Sequence, residues 1–310
     1  MKRLLCIAIL CTLCVTLSSC GKADHPSVDP NTDAAAPDVA QQSGFSTLLF
    51  SDEFESAAAI DKSGKGKAGY RWYIDRPYGE VPLTKADFTV KDSVLTIAPE
   101  KPSCNYAFST YTKAGDTGFA WQYGYAEARI RMPAENIPSK EDGRIGWPAF
   151  WGISLADVRG ESWDRCGELD MMECYYDDEK NEVLYSGTIH DCIRTDDGQQ
   201  RASNAPNANG AYGLREIIDG EWHTYGALWK EGHVSWYVDG VLMHTVEYKD
   251  DELPTFYFRE LPDPLESKKS ATNWESAYTI LDKEELVVVL GTDKQWPIEV
   301  DWVRIWGNAD

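Results

Sequence analysis

The chain predicts an all-β domain, and three observations carry that prediction. Short runs rich in Val, Ile, Tyr, Trp and Thr recur between turn residues, as where Val94-Leu95-Thr96-Ile97 follows Lys91-Asp92-Ser93. In Tyr237-Val238-Asp239-Gly240-Val241-Leu242 an Asp-Gly pair separates two strand-like runs, the signal of a two-residue hairpin whose turn positions take positive φ. Long stretches with apolar residues at helical spacing are absent. From residue 45 to the end the chain has the length of one β-sandwich domain.

The segments before that domain read differently. Lys2 and Arg3 precede an apolar run from Leu4 to Leu17 that is too short to span a bilayer as a stable helix. Leu17-Ser18-Ser19-Cys20 resembles a bacterial lipobox, so residues 1–19 are expected to be a lipoprotein signal peptide and Cys20 the lipidated residue. Several acyl chains on Cys20 anchor a protein stably where a single chain does not. Residues 21–43 contain no aromatic residue and two Val among Pro, Asp, Ala and Gln, so 20–44 is expected to be a disordered tether carrying the folded domain at 45–310. Near the C-terminal end, 249–283 is expected to be a long loop or insertion.

Charge and cysteine usage exclude some partners. A net charge of −21 argues against nucleic acid and against polyanionic glycans, and leaves a neutral glycan as the better fit. Cys6, Cys11 and Cys14 leave with the signal peptide, and Cys104, Cys166, Cys174 and Cys192 remain in an oxidising compartment. If strand 166–174 folds back on 183–192 with Glu168 opposite His190, Cys166 lies opposite Cys192 and the two can form a disulfide. The four cysteines allow other pairings as well as free buried thiols. They lack the C-x-x-C spacing of a zinc site.

The chemistry concentrates in Gly167-Glu168-Leu169-Asp170-Met171-Met172-Glu173. In a strand, Glu168 and Asp170 share a face while Leu169 points to the other layer. Glu173 has the wrong parity, and one extra residue at Met171-Met172, a β-bulge, returns it to the face of the other two. With the bulge discounted, Glu168 and Glu173 stand roughly 13 Å apart at Cα, at about 3.3 Å per residue. Side chains leaning together across that gap reach the separation of about 5–5.5 Å that a retaining glycosidase needs between nucleophile and acid/base. An edge strand of solvated acids is the plainer alternative, but such edges do not alternate acids with Leu and Met.

Glu168-Leu169-Asp170-Met171-Met172-Glu173 resembles the E-x-D-x-x-E signature of glycoside hydrolase family sixteen, the laminarinase and lichenase family. Leu49-Phe50-Ser51-Asp52-Glu53-Phe54, Tyr123-Gly124-Tyr125-Ala126-Glu127-Ala128-Arg129-Ile130 and Trp147-Pro148-Ala149-Phe150-Trp151 resemble its upstream motifs. Gly187-Thr188-Ile189-His190, Glu221-Trp222-His223-Thr224-Tyr225, Val234-Ser235-Trp236-Tyr237-Val238-Asp239-Gly240 and Val300-Asp301-Trp302-Val303-Arg304-Ile305-Trp306 follow in the family's order. The likeness spans about residues 47–307.

The resemblance implies a jelly-roll β-sandwich of two curved antiparallel sheets with a concave substrate groove. It implies Glu168 as nucleophile, Glu173 as acid/base and Asp170 as their helper. Repulsion among three close carboxyls is expected to keep Glu173 protonated while Glu168 is charged, and to relax once Glu168 is esterified. Sugar rings present apolar C–H faces, and Trp147, Trp151 and Trp163 are the candidate platforms, with core packing the competing role for any single Trp. His190 is a candidate substrate contact. Asp301 matches the family's structural calcium ligand, with Glu53 a candidate companion; the chemistry itself requires no cofactor. Pro102-Ser103-Cys104-Asn105-Tyr106-Ala107-Phe108-Ser109 departs from the Asn-Asn-Glu motif of many laminarinases. The expected substrate is β-1,3- or mixed-linkage glucan, with endo-β-galactosidase action as the close alternative and a non-catalytic glycan-binding lipoprotein as the alternative of another class. The expected protein is a monomer, lipid-anchored to a bacterial membrane, outer membrane foremost, facing the periplasm or the cell surface.

Overall fold

The structure, a computed structural model, describes residues 27–29, 32–74, 87–98, 106–136, 148–161, 165–177, 182–194, 200–203, 218–249, 252–258, 281–292 and 296–308. Among these the strands are, in chain order, β1 (Thr47–Asp52), β2 (Ile60–Asp61), β3 (Trp72–Tyr73), β4 (Phe88–Lys91), β5 (Val94–Ile97) and β6 (Tyr106–Ser109). They continue with β7 (Tyr111–Thr112), β8 (Thr117–Gly118), β9 (Gly124–Arg131), β10 (Ala149–Ser154), β11 (Arg165–Asp177), β12 (Glu182–Arg194) and β13 (Gln200–Ser203). The remaining strands are β14 (His223–Lys230), β15 (His233–Val238), β16 (Val241–Lys249), β17 (Glu252–Phe258), β18 (Leu286–Thr292) and β19 (Ile298–Gly307). Two five-residue helices accompany them, α1 (Asp38–Gln42) and α2 (Leu155–Arg159).

Two large sheets face each other. The first runs β17-β16-β15-β14-β9-β19-β5-β4, with β1 also paired to β19; the second runs β13-β12-β11-β10-β18-β6-β3-β2. Pairing is antiparallel except between β2 and β3. Alternation explains the layering: Ala126, Ala128 and Ile130 of β9 enter the core, as do Phe150 of β10 and Leu169 of β11. β18 reads as an unbroken apolar run because both of its faces are covered. Leu286, Val288 and Leu290 enter the core, while Val287 and Val289 join a second cluster on the opposite face. The hairpin read at Asp239-Gly240 is present between β15 and β16, with positive φ at both residues, and the turn residues Asp92 and Ser93, also at positive φ, join β4 and β5 in a second hairpin.

The N-terminal segment differs from the expected tether. Residues 32–44 and Ser27 to Asp29 pack on the domain. Ala36 and Ala40, with Phe45, join Tyr125, Leu228 and Trp306 in a cluster on the side of the first sheet turned away from the core. Alanine is small enough to bury on a flat sheet face, so the absence of large apolar residues does not preclude packing. Polar contacts add to this: Arg71 donates to Asp29 at 2.8 Å and to Asp52 at 3.0 Å, and Thr32 Oγ1 donates to Glu53 at 2.8 Å.

The stretch 249–283 also differs from one long loop. Its residues Glu252–Phe258 form β17 at the edge of the first sheet. Pro254 lacks an amide hydrogen, and an edge is where a strand tolerates it. Residues 259–280 lie outside the described residues.

Candidate active site

β11 carries the candidate carboxylates between β10 and β12. Against β12, Asp170 pairs with Thr188 and Glu173 with Ser186, so three steps on one strand match two on the other. Against β10, Asp170 pairs with Trp151, Met172 with Phe150 and Glu173 with Ala149. Both registers place the one-residue bulge where parity requires it. Its cause is visible in the burial: Met171 and Met172 are both in the core with Leu169 and Cys174, and each buried Met side chain contributes about 1.5–3 kcal/mol. Flexible thioethers fill the irregular space; Cys174 Sγ lies 3.5 Å from Met172 Sδ.

The result is three carboxylates on one face. Glu168 and Glu173 are partly exposed, and Asp170 between them is 1% exposed. Such a set offers a substrate two reachable carboxylates and keeps the third against the sheet. Ser186 and Thr188 of β12 lie beside it, and their hydroxyls share a hydrogen bond of 2.7 Å. The Gly-Thr-Ile-His motif contained that hydroxyl, but nothing in its spacing singled it out.

Trp151 stands on the carboxylate face opposite Asp170, as its parity requires. It is not an open platform: at 7% exposure it packs with Tyr111, Ile153, Leu155, Val158 and Val289. Leu155 and Val158 of that cluster belong to α2. α2 forms because Ser154 Oγ caps it by accepting from the Asp157 amide, and Gly160 at φ 75° ends it in the left-handed conformation. The helix aims Arg159 at Tyr111, with its guanidinium 5.3 Å from the ring centroid. Arg159 Nε donates to Tyr111 Oη at 2.9 Å and to Asp116 at 2.8 Å, and Tyr111 Oη donates to Asp116. Burial and that bond to Asp116 push the Tyr111 phenol up to about 12. Sequence reasoning passed over this trio because its members lie 43 to 48 residues apart in two of the three pairs.

The backbone register pairs Glu168 with His190 and Cys166 with Cys192, as the fold-back of the two strands predicts. The side chains of His190, Cys166 and Cys192, and with them the disulfide, lie outside the described residues, as do Trp147, Trp163, Cys104 and Cys20. The fourth cysteine, Cys174, is a buried free thiol, and burial pushes its pKa well above the usual thiol range.

Glu53 and Asp301, the expected calcium ligands, are each engaged by an arginine. Glu53 accepts from Arg304 Nε at 2.9 Å and Nη2 at 2.7 Å, and Asp301 accepts from Arg129 Nη1 at 2.5 Å. Each carboxylate thus faces a guanidinium. Among the described residues no group of three or more His, Cys, Asp or Glu could hold a metal ion.

The chain is similar to proteins of known activity and structure. The chain is 29% identical over 206 residues to the endo-1,3-1,4-beta-glycanase ExsH of Rhizobium meliloti (strain 1021), covering 64% of this chain and 37% of that protein. It is 23% identical over 244 residues to the glucan endo-1,3-beta-glucosidase A1 of Niallia circulans, covering 70% and 33%. The chain thus spans about a third of the length of these two relatives. A solved structure of a 1,3-alpha-1,4-beta-D-galactose-4-sulfate-3,6-anhydro-D-galactose 4 galactohydrolase shares the jelly-roll sandwich, with a TM-score of 0.54 at 17% identity over 88% of this chain and 99% of that one. The sequence profile described as Glycosyl hydrolases family 16 matches residues 81–279, a span that holds the bulged strand with Glu168, Asp170 and Glu173, and the chain belongs to that family.

Proposed function

We propose that this protein is a retaining endo-β-glycosidase that cleaves β-1,3- or mixed-linkage β-1,3/1,4-glucan. One observation carries the reading: the bulge at Met171-Met172 sets Glu168 and Glu173 on one face with Asp170 buried between them. The glucan assignment is supported by the names of the two glycanase relatives.

In this mechanism a carboxylate oxygen of Glu168 attacks the anomeric carbon. The glycosidic C–O bond breaks, and the departing oxygen takes the proton of Glu173. The glycosyl ester on Glu168 removes one negative charge from the trio, so Glu173 becomes the base that accepts a proton from water. Water then bonds to the anomeric carbon and frees Glu168. Asp170 orients Glu168, and the Ser186–Thr188 pair lines the same face. Cys20 anchors the enzyme to a bacterial membrane through lipid, with the outer membrane the favoured site.

Glu168→Gln and Glu173→Gln are each expected to fold and to lose most turnover, because the amide is nearly isosteric but neither attacks nor protonates. An aryl glycoside with a very good leaving group is expected to restore part of the activity of Glu173→Gln and none of that of Glu168→Gln. Rescue of Glu168→Gln alone reverses the two roles, and full activity in either variant removes that residue from the mechanism. Digestion of laminarin, lichenan, agarose and mucin glycans, read by product size, tests the substrate; products from agarose or mucin alone contradict the glucan assignment.

A further inference from the structure

The bulge has a second side. Toward the core, the Asp170 carbonyl accepts a hydrogen bond of 2.7 Å from Trp236 Nε1, and Trp236 belongs to β15 of the opposite sheet. His244 of β16 stacks on the Trp236 ring, with centroids 4.3 Å apart and planes 10° from parallel. Its Nε2 lies 3.0 Å from the Gly187 carbonyl; a carbonyl only accepts, so this nitrogen carries the proton. Gly187 sits on β12 between Ser186 and Thr188, the two residues that flank the bulge in the register. A Cβ at Gly187 would lie 2.2 Å from Trp236 Cδ1, so glycine is what admits the ring. Both Trp236 and His244 are buried, at 0% and 1% exposure.

We propose that the stacked Trp236–His244 pair is a positioning device for the carboxylates: from the far sheet it grips the backbone on both sides of the bulge, at Asp170 and at Gly187, and so sets the spacing of Glu168 and Glu173. The physical basis is that a bulge interrupts the ladder, and a backbone carbonyl in the core needs a donor. A buried indole held by a second ring supplies that donor in one orientation. Neither residue touches the substrate. The proposal rests on the function proposed above for the same site.

Trp236→Phe keeps an aromatic ring and removes the N–H. It is expected to lower kcat on the order of 100-fold with KM changed by less than about twofold, since small misplacement of reacting groups has that cost. Hydrogen exchange of the amides at 168–174 is expected to accelerate, while those of β19 stay protected. His244→Gln retains an N–H for the Gly187 carbonyl and is expected to keep most of kcat, whereas His244→Leu is expected to follow Trp236→Phe. Unchanged kcat in Trp236→Phe, equal losses in the two His244 variants, or unaltered exchange at 168–174 overturns the proposal. If Trp236→Phe does not fold, the His244 pair decides. Absence of turnover by the wild-type protein on every glycan refutes the hydrolase reading instead, and the exchange measurement then decides the clamp by itself.

Discussion

Asp170 shows how closely chemistry and packing are joined in single residues of this chain. Its side chain lies between two accessible glutamates, and its carbonyl is held from the opposite sheet by Trp236. The side-chain placement was legible from parity, because Glu168, Asp170 and Glu173 return to one face only if a bulge lies between them. The carbonyl's partner was not legible, since 66 residues separate Trp236 from Asp170 and no local pattern links them. Trp151 teaches a similar lesson: parity gave its face, but Tyr111, which shares its buried cluster, lies 40 residues away in the chain. His244 yields a pH prediction with a definite sign. Burial lowers its pKa to about 3, whereas in the unfolded chain it protonates near 6.5. Between those values the unfolded state binds more protons, so this group makes the protein less stable as pH falls below about 6.5. In His244→Gln, the slope of Tm against pH from about 6.5 to 4 is expected to be shallower than in the wild type; an identical slope contradicts the buried neutral imidazole.

Elements defined by local turn chemistry were the most legible. Asp-Gly announced the β15–β16 hairpin, and the turn residues Asp92 and Ser93 marked the start of β5, because positive φ is a local requirement. Segments whose order depends on a partner surface were not. α1 has five residues and stays in place because Ala40 is fully buried against the outer side of the first sheet. β17 likewise exists because β16 offers it an edge. These elements carry a stability prediction. Asp29→Ala removes a buried partner of Arg71, and a cost on the order of 3 kcal/mol is expected in chemical denaturation. A chain starting at residue 45 uncovers Tyr125, Leu228 and Trp306, each worth about 1.5–3 kcal/mol of burial, so it is expected to lose a large share of the roughly 5–15 kcal/mol typical of a domain. Wild-type denaturation midpoints in both variants would return 27–44 to the role of a loose tether.

For the whole molecule, the sandwich follows from alternation, and the site follows from one interruption of it. The anchor belongs to the same scale. The lipid anchor proposed at Cys20 is tested by substitution. Cys20→Ala is expected to move the protein from the membrane to the soluble fraction or to stall its export; unchanged partitioning contradicts the anchor. The central claim is that Glu168 and Glu173, on one face of one strand, act as a retaining pair. Inversion needs a water between carboxyl groups roughly 6.5–9.5 Å apart, and the retaining assignment requires Glu168 and Glu173 to come closer than that. Proton NMR of the first products released from a β-glucan tests this most directly. The account predicts that the β-anomer accumulates first and then mutarotates, and an initial α-anomer would contradict it.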